Sequence, residues 1–289
     1  MLRLAVATDA ETYERMQDPL ADRGIDVEYV QPSERILDLD PDATSLGSFD
    51  AGFVYPSRVM EGGVVDALLD VPWVNDRDTV LRSRNKAEVY ARLARAGVSV
   101  PETTLVSNPV DEADLVAAFE GIDGEVVLKP NSTTRGTGVA RAADLDSFLG
   151  ICDYLDLIHD YRATGDKSFL VQEYLPDARD YRAMVVDGRF AGAVERKLPE
   201  GAVAAGQWKH NVHRGAEATG ADLPADLRRL AEDAAAALDI DWVGVDLLVS
   251  DERAVVTETN ARPTIDAATK YEPGFYDDLA GLIRRTAGD

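Results

Sequence analysis

The 289-residue sequence predicts a mixed α/β and α+β protein, in which an N-terminal parallel-sheet lobe precedes a middle lobe and a C-terminal lobe of antiparallel strands. Between Leu2 and Val74, apolar runs alternate with helical segments, as is typical of a parallel sheet covered by helices. From Asp180 onwards, apolar runs follow one another across tight turns such as Asp187-Gly188, which indicates antiparallel hairpins. The predicted domains are residues 1–98, 99–176 and 177–289.

The individual elements follow from apolar periodicity and from glycine and proline stops. We predict strands at 2–8, 27–30, 51–55, 73–74, 104–106, 125–129 and 169–174, and then at 180–187, 189–196, 242–249 and 254–258. Helices are predicted at 10–23, 63–69, 79–96, 111–119, 145–157 and 225–238. The turn after the first strand, Thr8-Asp9-Ala10-Glu11, lacks the glycine-rich dinucleotide motif, so the N-terminal lobe is not expected to bind NAD.

The composition excludes several classes of partner. The chain has 53 acidic and 30 basic residues, and its net charge of −23 repels nucleic acid and anionic membranes, so neither is a predicted partner. A uniformly acidic surface suits a halophilic protein, because high salt screens the self-repulsion. The single cysteine, Cys152, rules out an internal disulfide and fits a reducing cytoplasm, and no apolar run is long enough to span a membrane. A homo-oligomer is left open.

Two carboxylates and an amide near the C-terminus predict a metal site. If Ser250 pairs with Ala254 in a hairpin, Asp246 lies directly opposite Glu258, and Asn260 shares their face because side chains alternate with period two. Facing carboxylates repel each other, and a hard divalent cation such as Mg²⁺ or Mn²⁺ removes this repulsion. The alternative is an ordinary hairpin whose acids face solvent.

A second segment has the composition of a phosphate-binding loop. The strand at 125–129 ends in Lys129, and the following residues 131–139 carry small hydroxyl side chains, Arg135 and the triplet Gly136-Thr137-Gly138. Such a loop allows several backbone N–H groups to converge on a phosphate, while the cations add charge. The Gly-Lys-Ser/Thr ending of a P-loop is absent, and an ordinary turn is the alternative.

Two further segments contain candidate ligand-binding residues. Gln172-Glu173-Tyr174-Leu175 ends a buried strand, so its backbone could bind an adenine edge while Glu173 or Asp180 binds ribose; a solvated strand end is the alternative. Residues 195–215 concentrate cations in an acidic chain, which favours an anionic ligand. There, Arg214 beside Asn211 has the donors for a transferring phosphoryl group or an acyl phosphate, whereas zinc at the two nearby histidines is disfavoured.

These motifs occur in an order that resembles one known superfamily. They are Arg84-Asn85-Lys86, Leu128-Lys129-Pro130 with its Gly-Thr-Gly loop, Gln172-Glu173-Tyr174, Asp180-Tyr181-Arg182, Asn211-Val212-His213-Arg214-Gly215, Gly244-Val245-Asp246 and Glu258-Thr259-Asn260-Ala261-Arg262-Pro263. From about residue 75 to about residue 265 the chain resembles the ATP-grasp carboxylate–amine ligases, and most closely the RimK-type α-L-glutamate ligases. The resemblance implies an ATP-grasp fold with an N-terminal parallel-sheet lobe, a lid lobe and a catalytic antiparallel-sheet lobe.

The same resemblance implies a role for each candidate residue. ATP would lie between the lid and catalytic lobes, with Lys86 and Lys129 on its phosphates and Asp180 near the ribose. The implied nucleotide-binding residues also include Arg135, Gly136, Thr137, Gly138, Gln172, Glu173, Tyr174, Leu175 and Arg182. The implied ligands of Mg²⁺ or Mn²⁺ are Asp246, Glu258 and Asn260, and the implied catalytic residues are Lys129, Asn211 and Arg214. Arg262 is a further catalytic candidate, at a position where the sequence departs from the family.

The implied reaction is ATP-dependent formation of an amide bond. A carboxylate on a small molecule, cofactor or peptide is phosphorylated to an acyl phosphate, and the amine of an amino acid, glutamate by resemblance, displaces the phosphate. Arg262 stands where relatives carry a small residue, next to the metal face, and is predicted to bind a substrate carboxylate. The alternative is a non-catalytic ATP-binding sensor or partner subunit, which the intact set of three metal-site oxygens argues against.

Overall fold

The computed structural model of the protein describes residues 1–40, 46–133, 136–158, 166–210, 212 and 215–289, and its strands form three sheets. One sheet is parallel and two are antiparallel, which confirms the predicted mixed fold class. Among the described residues, no helix is long and apolar enough to cross a membrane.

The N-terminal lobe alternates strands and helices, as predicted. Its elements are β1 (Leu2–Val6), α1 (Ala10–Ala21), β2 (Ile25–Tyr29), β3 (Ala51–Phe53), α2 (Val59–Leu69), β4 (Trp73–Val74), α3 (Arg77–Arg84) and α4 (Lys86–Arg95). The strands form a parallel sheet in the order β2-β1-β3-β4. The single helix predicted at 79–96 is instead the pair α3 and α4. The helix breaks at Asn85, because this residue is extended and its side chain accepts the N–H of Glu88.

The middle of the chain forms the lid lobe. Its elements are β5 (Thr103–Ser107), α5 (Glu112–Glu120), β6 (Val126–Pro130), β7 (Ala140–Ala142), α6 (Leu145–Ile158) and β8 (Ser168–Glu173). The sheet is antiparallel, with the order β5-β8-β6-β7, and its short strand β7 is not among the predicted elements. The lid has its own apolar core, in which Phe119 packs 5.1 Å from Phe148. Cys152 is buried there, and burial raises the pKa of its thiol to about 12, as expected of a structural cysteine.

The C-terminal part forms the catalytic lobe. Its elements are β9 (Arg179–Val186), β10 (Arg189–Lys197), α7 (Glu200–Ala204), β11 (Glu217–Gly220), α8 (Ala225–Leu238), β12 (Trp242–Val249), β13 (Ala254–Asn260), β14 (Lys270–Tyr271) and α9 (Phe275–Ala287). The antiparallel sheet has the order β11-β10-β9-β12-β13, and β14 pairs with β10. The predicted hairpins β9–β10 and β12–β13 are confirmed. The sequence did not predict α7, β11 and β14, which are too short to show a period, or the longer α9.

The N-terminal and catalytic lobes share one apolar core, whereas the lid has a separate one. The ring of Trp242 lies 5.8 Å from that of Phe53 in β3 and 6.2 Å from that of Phe275 in α9. Asn75, after β4, donates its side-chain amide to the carbonyls of Trp242 and Ala261. The N-terminal lobe is therefore fixed to the catalytic sheet. The boundaries predicted near 98 and 176 fall in the α4–β5 and β8–β9 connections, and the division into three domains stays a prediction.

Candidate active site

The hairpin of β12 and β13 places two carboxylates opposite each other. Asp246 pairs with Glu258, and Asn260, opposite Gly244, lies on the same face. Asp246 is 4% exposed, whereas the side chain of Glu258 is 35% exposed. One member of the predicted metal set is therefore buried in the sheet, and the other is accessible.

The register that produces this pair differs from the predicted one. Ala254 pairs with Val249 and not with Ser250, so an unbroken ladder would leave Thr257 opposite Asp246. A β-bulge adds Thr257 to β13 and brings Glu258 opposite Asp246 instead. The facing pair exists because the bulge compensates for a turn that is one residue longer than predicted.

Two guanidinium groups hold the buried carboxylate of Asp246. Arg182 of β9 donates from Nε to Oδ1 at 2.6 Å and from Nη2 to Oδ2 at 2.8 Å, and Nη2 of Arg196 in β10 lies 3.0 Å from Oδ2. Burial alone would raise the pKa of Asp246, but the two arginines hold it below its ordinary value. Arg182 was predicted to contact the nucleotide, but here it contacts the carboxylate of Asp246, a predicted metal ligand. The repulsion expected between Asp246 and Glu258 is offset within the protein.

Arg196 also links this carboxylate to Asp180, the predicted ribose-binding residue. Its Nε and Nη2 lie 2.7 and 2.5 Å from Oδ1 of Asp180. Burial raises the pKa of Asp180 to about 7, against the opposing charge of Arg196. Nδ1 of His210 lies 3.8 Å from Oδ2 of Asp180, and burial, with the Arg196 charge, lowers the pKa of His210. Arg196 belongs to the predicted cation-rich segment, but its contact with Asp180 was not predicted, because a β-bulge between Phe190 and Gly192 is needed to bring Arg196 opposite Asp180 in the β9–β10 ladder.

Two buried ammonium groups lie close to Glu258. Nζ of Lys86 is 3.8 Å from Oε1 of Glu258 and donates to the carbonyl of Thr133. Nζ of Lys129 donates to Oε1 of Gln172 at 2.6 Å. Burial lowers the pKa of both lysines, that of Lys129 to about 8, and the charge of Glu258 opposes the shift. Two ammonium groups and one carboxylate carry a net positive charge here, which favours an anion such as phosphate.

The loop between β6 and β7 contains the predicted phosphate-binding glycines. Gly136 and Gly138 have φ angles of 66° and 75°. A Cβ atom on Gly138 would lie 2.7 Å from Cγ of Pro130. The hydroxyl of Thr133 donates to the carbonyl of Thr137 at 2.9 Å, which closes the turn. The backbone at this turn therefore favours glycine on conformational and steric grounds.

The end of β8, which is predicted to bind adenine, contacts both neighbouring lid residues and the turn of the β12–β13 hairpin. Gln172 donates Nε2 to Oγ1 of Thr103 at 2.8 Å, in addition to accepting from Lys129. Glu173 accepts a lid backbone N–H at 2.7 Å and forms an ion pair with Arg253, so both of its carboxylate oxygens are engaged. Leu175 follows, partly buried. These contacts fix the strand end without a ligand.

An aromatic pair connects this strand end to the cation-rich segment. The rings of Tyr174 and Trp208 meet edge to face, with centroids 5.8 Å apart, and the guanidinium of Arg141 lies 4.8 Å from the Tyr174 ring. Lys209 lies 5.3 Å from the Trp208 ring and donates to the carbonyl of Val139 in the lid. The sequence analysis missed Trp208, whose only signal is an aromatic side chain among cations.

Arg262 lies at the carboxyl edge of the N-terminal sheet. Its guanidinium donates to the carbonyls of Ala7 at 3.2 Å, Val54 at 3.4 Å and Tyr55. Its backbone N–H donates to Oδ1 of Asn260 at 2.9 Å, which orients that predicted metal ligand. Burial lowers the pKa of Arg262 to about 10. Its predicted contact with a substrate carboxylate stays a prediction.

The oxygen face of the hairpin fits a hard divalent cation. Across the described ranges, no group of three or more His, Cys, Asp and Glu side chains is arranged to hold a metal. A cation here therefore needs the amide oxygen of Asn260 as well as the carboxylates of Asp246 and Glu258. All three donors are oxygens on one face, which suits such an ion. Three other predicted site residues lie outside the described residues: Arg135, Asn211 and Arg214.

Comparison with known sequences indicates the family. Residues 83–274 match the RimK-like ATP-grasp domain. A probable alpha-L-glutamate ligase from Pectobacterium carotovorum subsp. carotovorum (strain PC1) is 31% identical over 212 residues, which span 73% of this chain and 64% of that protein. A ribosomal protein bS6–L-glutamate ligase from Escherichia coli O139:H28 (strain E24377A / ETEC) is 28% identical over 285 residues, which span 94% of this chain and 89% of that protein.

A solved structure gives the same result. The crystal structure of a RimK domain protein ATP-grasp from Sphaerobacter thermophilus DSM 20745 superposes with a TM-score of 0.66 at 25% identity, covering 99% of this chain and 100% of that chain. This likeness confirms the ATP-grasp fold. ATP-grasp ligases use ATP and divalent metal ions, in agreement with the lysines and the oxygen face described above. The chain therefore belongs to the RimK-like ATP-grasp family and is an ATP-dependent carboxylate–amine ligase.

Proposed function

We propose that the protein joins the amine of glutamate to a substrate carboxylate, using ATP to convert that carboxylate to an acyl phosphate and releasing ADP and phosphate. One observation carries the proposal: the oxygen face of the hairpin meets the buried lysines, since Glu258 lies 3.8 Å from Lys86. One side of this junction offers oxygens for a divalent cation, and the other offers ammonium groups for phosphates. Transfer of a phosphoryl group between substrates requires both.

The proposed reaction has two steps. A carboxylate oxygen attacks the γ-phosphorus of ATP, and the bond from that phosphorus to the β–γ bridging oxygen breaks, so that ADP leaves. The amine nitrogen then attacks the acyl carbon, the carbon–oxygen bond to phosphate breaks, and the nitrogen loses a proton. Negative charge shifts between oxygens in both steps. The protein contributes by positioning the reactants and by neutralising this charge.

The charged residues of the site divide these tasks. Lys86 and Lys129 bind the phosphates, whose oxygens replace the neutral oxygens that both lysines contact in this structure. Asp246, Glu258 and Asn260 would hold a Mg²⁺ or Mn²⁺ ion, which would supply positive charge for the transferring phosphoryl group. The arginines on Asp246 support this assignment, because they keep its carboxylate in the ionised form that a cation binds.

The remaining candidates surround the nucleotide. The segment 173–175 and Asp180 lie where the lid meets the catalytic lobe, and the Tyr174–Trp208 pair supplies an aromatic surface there. The glycines at 136 and 138 allow the lid backbone to approach the phosphates. Resemblance to the family adds Gln172, Thr137, Arg135 and Arg182 to the nucleotide site, and Asn211 and Arg214 to the transferring phosphoryl group.

The substrates follow from the relatives' names and from the charge of the chain. The relatives are named as glutamate ligases, and one of them is named for ribosomal protein bS6. The acceptor is accordingly a carboxylate of a small molecule, cofactor or peptide, and we assign the binding of a substrate carboxylate to Arg262, whose backbone N–H contacts Asn260. The net charge of −23 suits a halophilic cytoplasm, where salt screens the acidic surface.

Release of ADP tests the proposal. The protein would be incubated in molar KCl with Mg-ATP, each amino acid in turn and a panel of mono- and dicarboxylates and acidic peptides. We expect ADP release only when an acceptor and glutamate are both present, together with a product heavier by one glutamyl residue in the mass spectrum. Binding of Mg-ATP with no ADP release under any condition would contradict the proposal and favour a nucleotide sensor.

A further inference from the structure

A large cavity adjoins the phosphate site on the side of the N-terminal lobe. It has a volume of about 1240 Å³ and lies between the loop after β3, the helices α3 and α4, and the lid residues 131–133. The loop after β3 is at the carboxyl edge of the parallel sheet, which is where parallel α/β sheets bind ligands. Lys86 donates to the carbonyl of Thr133 in the lid wall, so the cavity opens beside the ammonium group that we assign to phosphate.

The lining of this cavity is rich in arginine, and three of its arginines have partners within the protein. Arg58 lies 3.1 Å from Glu61, and Arg92 lies 2.8 Å from Glu88. Arg82 donates to the carbonyl of Leu238 at 2.5 Å, which ties α3 to the end of α8. These three arginines are accounted for by local structure.

The other two arginines of the lining, Arg77 and Arg84, are different. In the part of the chain that the structure describes, neither has a carboxylate oxygen within 4.0 Å. Arg84 is partly buried, and its hydrogen bond is a long one, from Nη2 to the carbonyl of Ser57 at 3.4 Å. Arg84 ends α3 and Lys86 begins α4, so these two cations lie near each other at the break between the helices.

A partly buried guanidinium in this position is favoured by an anion. Partial burial weakens the hydration of Arg84, and the neighbouring ammonium of Lys86 adds repulsion. The chain has 53 acidic residues, yet none in the described part of the chain forms an ion pair with Arg84. A guanidinium that faces a cavity and has no protein carboxylate is arranged to bind one from a ligand, through two parallel N–H···O bonds.

We infer that Arg84, assisted by Arg77, binds a substrate carboxylate other than the one that is phosphorylated. This inference rests on the proposed ligase function and adds the site that distinguishes acidic substrates. The carboxylate belongs either to the incoming amino acid or to a polyacidic acceptor. The volume exceeds the range of about 300–1,000 Å³ that is usual for ligand sites, so there is room for more than a single amino acid.

Calorimetry on Mg-ADP-loaded protein separates these sources. L-glutamate and a tetraglutamate peptide would be titrated into the wild type and into Arg84→Gln and Arg84→Lys. We expect Arg84→Gln to lower the affinity for one of the two ligands by about 10- to 100-fold, since a hydrogen bond to a charged group is lost. Arg84→Lys should retain part of the affinity, and the affinity for Mg-ADP should change by less than about threefold. The ligand that loses affinity identifies the source of the carboxylate.

Arg95→Gln is the matched control, because Arg95 is exposed at the end of the next helix, α4, and does not line the cavity. It should leave both affinities unchanged. If Arg84→Gln fails to fold, Arg77→Gln replaces it, since Arg77 is exposed at the start of α3. This variant should lower the affinity for one of the two carboxylate ligands by about threefold.

Three results would overturn the inference. They are unchanged affinity for both ligands in folded Arg84→Gln, an equal loss of Mg-ADP affinity, and a wild type that binds neither carboxylate. Failure of the proposed ligase function would appear differently, as carboxylate and Mg-ADP binding without ADP release in any amino acid and acceptor mixture.

Discussion

Around Asp246 the buried charges are paired within the protein, whereas around Lys86 and Lys129 they are only partly balanced. Asp246 and Asp180 contact Arg182 and Arg196 at 2.5–3.0 Å, so two carboxylates meet two guanidiniums. The lysines contact neutral oxygens and a single, partly exposed carboxylate at 3.8 Å. The first region is electrostatically complete without a ligand, and the second is completed by an anion. The charges around Asp246 are thus balanced by the protein before a ligand binds, whereas those around the lysines favour an anionic ligand.

The largest expected effect distinguishes the two facing carboxylates. Asp246→Asn and Glu258→Gln should each lower kcat by about 10²-fold or more, because each removes a predicted ligand of the cation. Only Asp246→Asn should also destabilise the fold, by about 3–5 kcal/mol, since it leaves two buried guanidiniums without their carboxylate. Urea unfolding and ADP release at saturating Mg²⁺ measure both quantities. Near-wild-type turnover in either variant would contradict the metal assignment.

A second variant tests the catalytic assignment of Arg214. Arg214→Lys keeps the charge but loses the planar fork that pairs with two phosphoryl oxygens. We expect kcat to fall by about 10²–10³-fold, with a smaller rise in the KM for ATP, because the contact strengthens in the transition state. Steady-state kinetics measures both constants. An unchanged kcat would show that Arg214 only contributes to surface charge.

The lysine region predicts a pH dependence on the alkaline side of neutrality. Burial lowers the pKa of Lys129 from 10.5 to about 8. Between these values the unfolded chain binds more protons than the folded one, so the free energy of unfolding of the apo protein should rise with pH. Affinity for Mg-ADP should fall instead, by about tenfold per unit above pH 8, because phosphate binds the ammonium form.

Lys129→Met provides the control for this pH dependence. The affinity of this variant for Mg-ADP should be lower than that of the wild type at neutral pH. Between pH 8 and 10 its affinity should change less steeply with pH, as measured by calorimetry at each pH. Parallel slopes in the two proteins would show that another group controls the titration.

The smallest expected effect concerns the glycine loop of the lid. Gly138→Ala should weaken Mg-ADP binding by about fivefold to 20-fold, since its φ of 75° is unfavourable for alanine and its Cβ would meet Pro130 at 2.7 Å. Gly124→Ala is the matched control in the same lobe, with a φ of 88° and no atom within 4 Å of the Cβ. It shares the backbone strain but lies away from the loop. Equal nucleotide affinity in the two variants would remove the loop from the phosphate site.

The sequence was sufficient for the features that depend on local rules. Alternation with period two placed Asp246, Glu258 and Asn260 on one face, and turn residues located the two hairpins of the catalytic lobe. The order of seven short motifs indicated the family that the comparisons then showed. The Asp246–Glu258 pair was predicted correctly in spite of the one-residue difference at Ala254, because the bulge at Thr257 restores the register.

Only the tertiary structure decided which charges meet. The partner of Asp246 depends on β9 lying between β10 and β12, and Arg182 is 64 residues away along the chain. Arg262 reaches carbonyls more than 200 residues away, and the cavity beside Arg84 forms where three separate segments converge. The reason is physical: side-chain direction follows from the backbone period within one element, but the electrostatic balance of a buried charge depends on long-range packing.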